Sequence, residues 1–457
     1  MRLVLMVAAL LATACAQGPS LPGWWLGTLA PAVPLRLEMH VTQASPKLEA
    51  TFTSLDQGRA QFPASSVAVQ GRQVSIAAAA AHATFTGTLS ADGNTITGTW
   101  SQGPGKLPLT LHREAGPLPV AQNRPQEPKP PFPYRLLPAL VPGPGGIHLA
   151  GTLTVPPGPG PFPAALLIAG SGPNNRNEDV FGHKIFLVLA DNLTRHGFAV
   201  LRLDKRGVGQ STGDAATATT TDYAADAAGA FAWLRRQPGI DAARVGLIGH
   251  SEGGLIAAMV ASQHPEAAFA VMMAGPGERG EDLVVSQVEA LNAASGAPPA
   301  TVAKDATMER AVLDLVMAAP TDAAVPAALD AAATKGTLPK IPAAQVAGLA
   351  SPWYRAFLRS DPAPYLELLR CPVLALSGSK DVQVPPAANL PLLKADLAHD
   401  PHATVVELPG LNHLFQAAKT GLPAEYAQIE ETIDPAALSA IDTWLDTVIV
   451  PTRAAHR

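Results

Sequence analysis

Gly249-His-Ser-Glu-Gly253 sets Ser251 between small residues in the pattern G-x-S-x-G. A serine hydroxyl is a weak nucleophile at neutral pH; it needs a base to take its proton and a third group to orient that base. Two later loops offer those residue types. Gly378-Ser-Lys-Asp381 follows the apolar run Val373-Leu-Ala-Leu-Ser377, and Pro409-Gly-Leu-Asn-His413 follows Val405-Val-Glu-Leu408. Functional loops of open parallel sheets follow the carboxyl ends of strands, so Ser251, Asp381 and His413 are the candidate nucleophile, acid and base.

The flanking residues say how Ser251 is held. Val245, Leu247 and Ile248 read as a short buried strand, and Leu255, Ile256, Met259 and Val260 recur at helical spacing. A strand that turns into a helix this abruptly needs glycine on both sides of the turning residue. The amide of Glu252, opening the helix, then faces any oxygen bound beside the serine.

From Tyr134 onward strand and helix alternate. Strands are expected at 147–155, 164–168, 199–203, 268–273, 372–376 and 404–408, with helices at 184–195, 222–236, 387–397 and 435–448. Such alternation implies right-handed crossovers and a mostly parallel sheet flanked by helices. The rhythm breaks at 276–370, an alanine-rich, helical stretch that reads as a cap inserted between two sheet strands.

These motifs, in the order Ser, acid, His, resemble the α/β-hydrolase superfamily, in particular exported bacterial serine esterases with a helical cap. The resemblance covers residues 134–275 and 371–450, the two parts of the core, and implies an α/β-hydrolase fold. It also implies that the amide of Ser171, in Ile168-Ala-Gly-Ser-Gly-Pro173, joins that of Glu252 as oxyanion hole, with Gly172 as the alternative. Asp204-Lys-Arg-Gly-Val-Gly-Gln-Ser211 resembles a recurrent structural turn of the family, and Asp204 and Asp222 are rival acids. His250, Trp353, Arg355 and Phe357 are candidate pocket residues; His250, inside the elbow, reads more readily as a residue that packs or orients than as one that titrates in catalysis, and the last three serve equally well as an anchor for the cap.

Residues 20–113 read as a small all-β sandwich or barrel of six to eight strands, with Leu35, Leu37, Met39 and Val41 alternating and Asp92-Gly-Asn94 as a turn. Trp24, Trp25 and Trp100 are either its core or a ligand platform. Residues 114–133, ending in Pro128-Lys-Pro-Pro-Phe-Pro133, read as a stiff linker. Residues 1–16 read as a signal peptide, so the protein is expected to be exported, periplasmic or extracellular, with lipidation of Cys15 as the alternative. No later stretch reads as a transmembrane helix.

A formal charge of −5 provides no basic field for nucleic acid. No metal site and no cofactor is expected, and Cys371, the only other cysteine, reads as a buried core residue. His183, His196, His264, His399 and His402 read as surface residues. The partner expected is a small-molecule ester; the oligomeric state is open. Two rival functions stand: an aminopeptidase or prolyl peptidase using Glu278, Glu281 and Asp282 to meet a substrate ammonium, and an envelope binding protein with a vestigial hydrolase domain.

Overall fold

The computed structural model describes residues 20–29, 35–44, 47–55, 60–81, 83–102, 105–116 and 123–449. The expected signal peptide, Cys15 included, lies outside them. The described residues divide into two compact units, one up to residue 116 and one from residue 123.

The first unit is a single antiparallel sheet of nine strands. Their order is Ala60–Pro63, Lys47–Ser54, Leu35–Ala44, Gly23–Leu29, Gly105–Glu114, Thr95–Gln102, Ala83–Leu89, Gln73–Ala78 and Ser66–Gln70. The first and last strands of that order are joined by two residues only. Ala64 N bonds Ala50 O at 2.8 Å and Ser65 N bonds Ala77 O at 2.7 Å, so the sheet curls towards a barrel. Alternate residues (Trp25, Met39, Phe52, Ile76, Phe85, Trp100) fill its interior. Trp25 and Trp100 are thus core, while Trp24 stacks on His40 with ring centroids 3.7 Å apart.

The second unit has the α/β-hydrolase fold. Its strands are β1 (Arg135–Pro142), β2 (His148–Val155), β3 (Phe162–Ile168), β4 (Ala199–Leu203), β5 (Ile240–His250), β6 (Ala270–Met273), β7 (Val373–Gly378) and β8 (Thr404–Leu408), in sheet order β1-β2-β4-β3-β5-β6-β7-β8. β2 pairs antiparallel with both β1 and β4; the other pairs are parallel. β1 escaped the sequence reading because Pro138 and Pro142 argue against a strand; an edge strand tolerates them.

The sheet buries both faces, and the strand period of two assigns each residue to one of them. Leu166, Leu247 and Met272 pack under α2 (Thr220–Leu234) and α3 (Glu252–Gln263). Leu167, Ile248 and Met273 pack under α1 (Ile185–Arg195) and the last helix, Pro435–Val448.

Between β6 and β7 lie α4 (Gly280–Ala294), α5 (Pro299–Ala318), α6 (Val325–Thr334), α7 (Ala343–Leu349) and α8 (Pro352–Leu358), with no strand among the described residues. Leu313, Val316, Val325, Leu329 and Leu358 give this insertion a core of its own.

The stretch from residue 123, within the stiff linker read from the sequence, is tied to the second unit: Gln126 accepts from the amides of Thr432 and Ile433 at 2.6 and 3.0 Å, and Lys184 pairs with Glu127 at 2.8 Å. One expectation changes here. His183 is fully buried, not a surface residue. Its Nε2 lies 2.9 Å from Tyr426 O and 2.8 Å from Gln416 Nε2, its Nδ1 lies 3.2 Å from Thr432 Oγ1, and burial pushes it down to about 4. Cys371 is buried as expected, and burial pushes its thiol up to about 12.

Candidate active site

Ser251 stands between the end of β5 and the start of α3 at φ 57°, ψ −125°, a conformation that costs a non-glycine residue about 1–3 kcal/mol. The turn is fixed from both sides. A Cβ on Gly249 would stand 1.9 Å from Gly253 O, and one on Gly253 would stand 1.9 Å from Ile168 O. The Ser251 amide donates to Met273 O at 2.8 Å, tying the turn to β6.

Asp381 and His413 meet across 32 residues of chain. His413 Nδ1 lies 2.7 Å from Asp381 Oδ2, and Asp381 Oδ1 accepts from the amides of Gln383 and Val384, both at 2.8 Å. Both side chains are buried. With Nδ1–H committed to Asp381, Nε2 is the basic nitrogen of His413. Fully buried Asn412 shapes the histidine loop by accepting from the amides of Leu414 and Gln416 at 3.0 and 2.9 Å.

His250, the candidate read as a residue that packs or orients, is buried. Its Nε2 donates to His413 O at 3.0 Å, its Nδ1 faces Glu178 Oε1 at 3.0 Å, and the two imidazole rings lie 4.9 Å apart. Both ring nitrogens face acceptor oxygens, an arrangement that favours the doubly protonated ring. Burial, the largest single influence, lowers its proton affinity; the Glu178 carboxylate, the bond to His413 O and the charge of Asp381 together outweigh it, and the net shift is upward.

The loop after β3 presses against the serine, for a Cβ on Gly170 would stand 3.0 Å from that of Ser251. Glu178 Oε1 accepts the Gly170 amide at 2.7 Å, and the Gly170 carbonyl accepts from Lys205 Nζ at 2.5 Å and Asn174 Nδ2 at 2.9 Å. Ser171 follows, with its side chain exposed. Across the site, Glu252 opens α3, where the first amides have no acceptor within the helix. Its buried carboxylate accepts from Thr220 Oγ1 at 2.7 Å and from Trp353 Nε1 at 2.8 Å, with Lys205 Nζ 3.7 Å away.

Glu178 and Lys205 were not anticipated as site residues. Lys205 left a faint signal, a cation directly after a buried strand at the functional edge of the sheet. Glu178 left none.

The cap residues divide. Trp353 and Phe357 stack at 5.5 Å, and Phe357 packs with Leu283 of α4 and Val384 of the acid loop. They therefore lie between Glu252 and Asp381. Arg355 does not line a pocket: its guanidinium bonds Val316 O, Ala319 O and Asp322 inside the cap. The rival acids are engaged elsewhere, Asp204 by Arg176 at 2.6 Å and Asp222 in the capping box that starts α2. Glu278 accepts from Ser286 Oγ and Asn389 Nδ2 at 2.7 and 2.8 Å, and Asp282 pairs with Arg310 at 2.5 Å. Among the described residues, no group of three His, Cys, Asp or Glu could hold a metal ion, and no helix is long and apolar enough to cross a membrane.

The sequence profile of the family described as X-Pro dipeptidyl-peptidase (S15 family) matches residues 145–395. Esterase EstD of Thermotoga maritima is 26% identical over 298 residues, 65% of this chain and 65% of EstD. Solved structures with a similar course include an esterase of Pyrococcus furiosus (14% identity, 69% of this chain and 92% of that one, TM-score 0.43). Another is a proline iminopeptidase-related protein of Thermus thermophilus (22% identity, 69% and 99%, TM-score 0.42).

Proposed function

Since the chain belongs to the X-Pro dipeptidyl-peptidase (S15) family, we propose that it is a serine hydrolase cleaving carboxylic esters through an acyl-enzyme. The observation that carries this reading is the 2.7 Å bond between His413 and Asp381, supported by a serine held at positive φ whose preceding residue, His250, bonds His413 O at 3.0 Å. His413 Nε2 takes the Ser251 proton as Oγ attacks the ester carbonyl, and Asp381 holds the imidazole and balances its charge. The amides of Glu252 and Ser171 receive the tetrahedral oxyanion. His413 then protonates the leaving alcohol, and water repeats the sequence on the acyl-enzyme.

Ester rather than peptide cleavage is favoured in part because two of the three acidic residues at the start of the cap are already engaged, Asp282 by Arg310 and Glu278 by a hydroxyl and an amide, which leaves Glu281 alone to meet the substrate ammonium of an aminopeptidase. The similarity to EstD, an esterase, supports the same choice. The family's description makes amide cleavage the competing reading. A paired screen of nitrophenyl acyl esters against aminoacyl and prolyl amides, with Ser251→Ala as control, tests both. Amide turnover exceeding ester turnover reverses the choice, and full activity in Ser251→Ala removes the mechanism. Export belongs to the proposal on the pattern of residues 1–17 alone, and N-terminal sequencing of protein recovered outside the cytoplasm tests it.

A further inference from the structure

Lys205 has an unusual station for a lysine. Its side chain is only 8% exposed, its ammonium lies 4.2 Å over the ring of Tyr223, and its closest polar contact is the Gly170 carbonyl at 2.5 Å. The Glu252 carboxylate is farther, at 3.7 Å. Burial lowers the proton affinity of Lys205, against the pull of Glu252 and Glu178. A buried ammonium spent on a main-chain oxygen calls for a reason.

The reason lies in which peptide that oxygen belongs to. Gly170 O and Ser171 N are the two ends of one planar, trans peptide group, so the direction of the carbonyl dictates that of the amide. With the carbonyl drawn to Lys205 and Asn174, the Ser171 N–H points the opposite way within the same plane. A cation on the oxygen also draws electron density through the peptide and makes the N–H a stronger donor.

The preceding peptide is held as well, through the Gly170 amide and Glu178, and Gly170 itself abuts Ser251. Meanwhile the same ammonium faces Glu252, whose amide is the opposite donor of the proposed hole. One side chain therefore stands between the two segments that supply the oxyanion contacts.

We propose that Lys205 is a positioning residue of the oxyanion hole, fixing and polarising the Gly170–Ser171 peptide so that its N–H meets the developing oxyanion. This rests on the serine-hydrolase reading above. Lys205 touches neither substrate nor nucleophile; it acts through the peptide it grips, so its loss is felt where charge develops on the substrate oxygen.

The test compares the parent with Lys205→Met, which keeps the stem and loses the ammonium, and with Lys205→Arg and Asn174→Ala. Each is measured with p-nitrophenyl butyrate, with butylboronic acid as an analogue of the tetrahedral state, and with butyrate as a ground-state ligand. Lys205→Met is expected to lower kcat by about 10–100-fold with KM within about twofold. Boronate affinity should fall in parallel and butyrate affinity should hold. Lys205→Arg restores part of kcat, and Asn174→Ala, which removes the second donor to the same carbonyl together with a 2.9 Å bond to Ser171 O, shows the same pattern more weakly.

Unchanged kcat and boronate affinity in Lys205→Met overturn the proposal. So does an equal loss of boronate and butyrate binding, which marks a merely structural role. Should Lys205→Met fail to fold, Asn174→Ala decides: a fall in kcat and boronate affinity at constant KM supports the proposal, and no change overturns it. Failure of the underlying reading is seen separately, as boronate binding and turnover that survive Ser251→Ala.

Discussion

The carbonyl oxygen of His413 receives the Nε2–H of His250 at 3.0 Å, so the residue before the candidate nucleophile grips the backbone of the candidate base. The grip depends on charge. His250 can donate from both nitrogens only as an imidazolium, and Glu178, buried at 3.0 Å from Nδ1, is the anion that keeps it so.

Glu178→Gln leaves that imidazolium without its counter-ion, and removing one partner of a buried pair costs about 3–5 kcal/mol. Folding raises the proton affinity of His250, so the native state holds this proton more tightly than the unfolded chain does. The stabilisation is complete below the unfolded histidine value, about 6.5, and is lost as pH rises through the higher folded value. Urea denaturation should therefore show a gap between parent and Glu178→Gln that is widest in mild acid and narrows in alkali. A gap that widens with rising pH contradicts the assignment.

Asp381 does two jobs with two oxygens, and two substitutions separate them. In Asp381→Asn the amide oxygen can still accept from Gln383 and Val384, while the amide nitrogen donates to His413 and leaves the proton on Nε2. Turnover of a nitrophenyl ester should fall by about 10⁴ with little change in thermal stability. Asp381→Ala also orphans the two backbone donors, at about 1–3 kcal/mol each, and should melt distinctly earlier. Equal melting temperatures for the two variants count against this division.

Trp353 joins α8 of the cap to Glu252 by a single 2.8 Å bond. Trp353→Phe keeps an aromatic ring for stacking on Phe357 but leaves a buried carboxylate oxygen with one donor fewer, a loss of about 1–3 kcal/mol. Ester KM is expected to rise more than kcat falls, together with faster proteolysis within α5 to α7. Unaltered KM and protease resistance exclude a role for this bond in holding the cap.

His183 sets an acid limit on stability. The native state keeps it neutral down to about 4, whereas in the unfolded chain it takes a proton near 6.5. Below 6.5 the unfolded state binds the extra proton, so stability falls with pH until about 4, by about 3 kcal/mol in all. His183→Gln should remove this slope, read from urea midpoints measured across pH 4–7. A slope that persists in the variant shows that other groups cause it.

Much of the fold is legible in local pattern. The short apolar runs at 199–203 and 404–408 suffice to predict β4 and β8, because strands of a mostly parallel sheet read as brief, nearly continuous apolar stretches. Gly249 and Gly253 announce the turn at Ser251 because a Cβ at either one collides with neighbouring backbone. β1 stayed hidden because its prolines are tolerated only at a sheet edge, and edge position is a property of the whole sheet.

Residue type and position along the chain were enough to nominate a serine at a strand-to-helix turn and an acid and a base at strand ends, since these follow from backbone sterics and strand order. They could not show that Arg355 is spent within the cap, or that Glu178 lies under His250, 72 residues away. Nor could they bring Trp353 to Glu252 across 101 residues, or Lys205 to the Gly170 carbonyl. Those pairings arise when distant segments pack and exclude water, because a polar group that loses its hydration must find a partner among whatever the fold brings near.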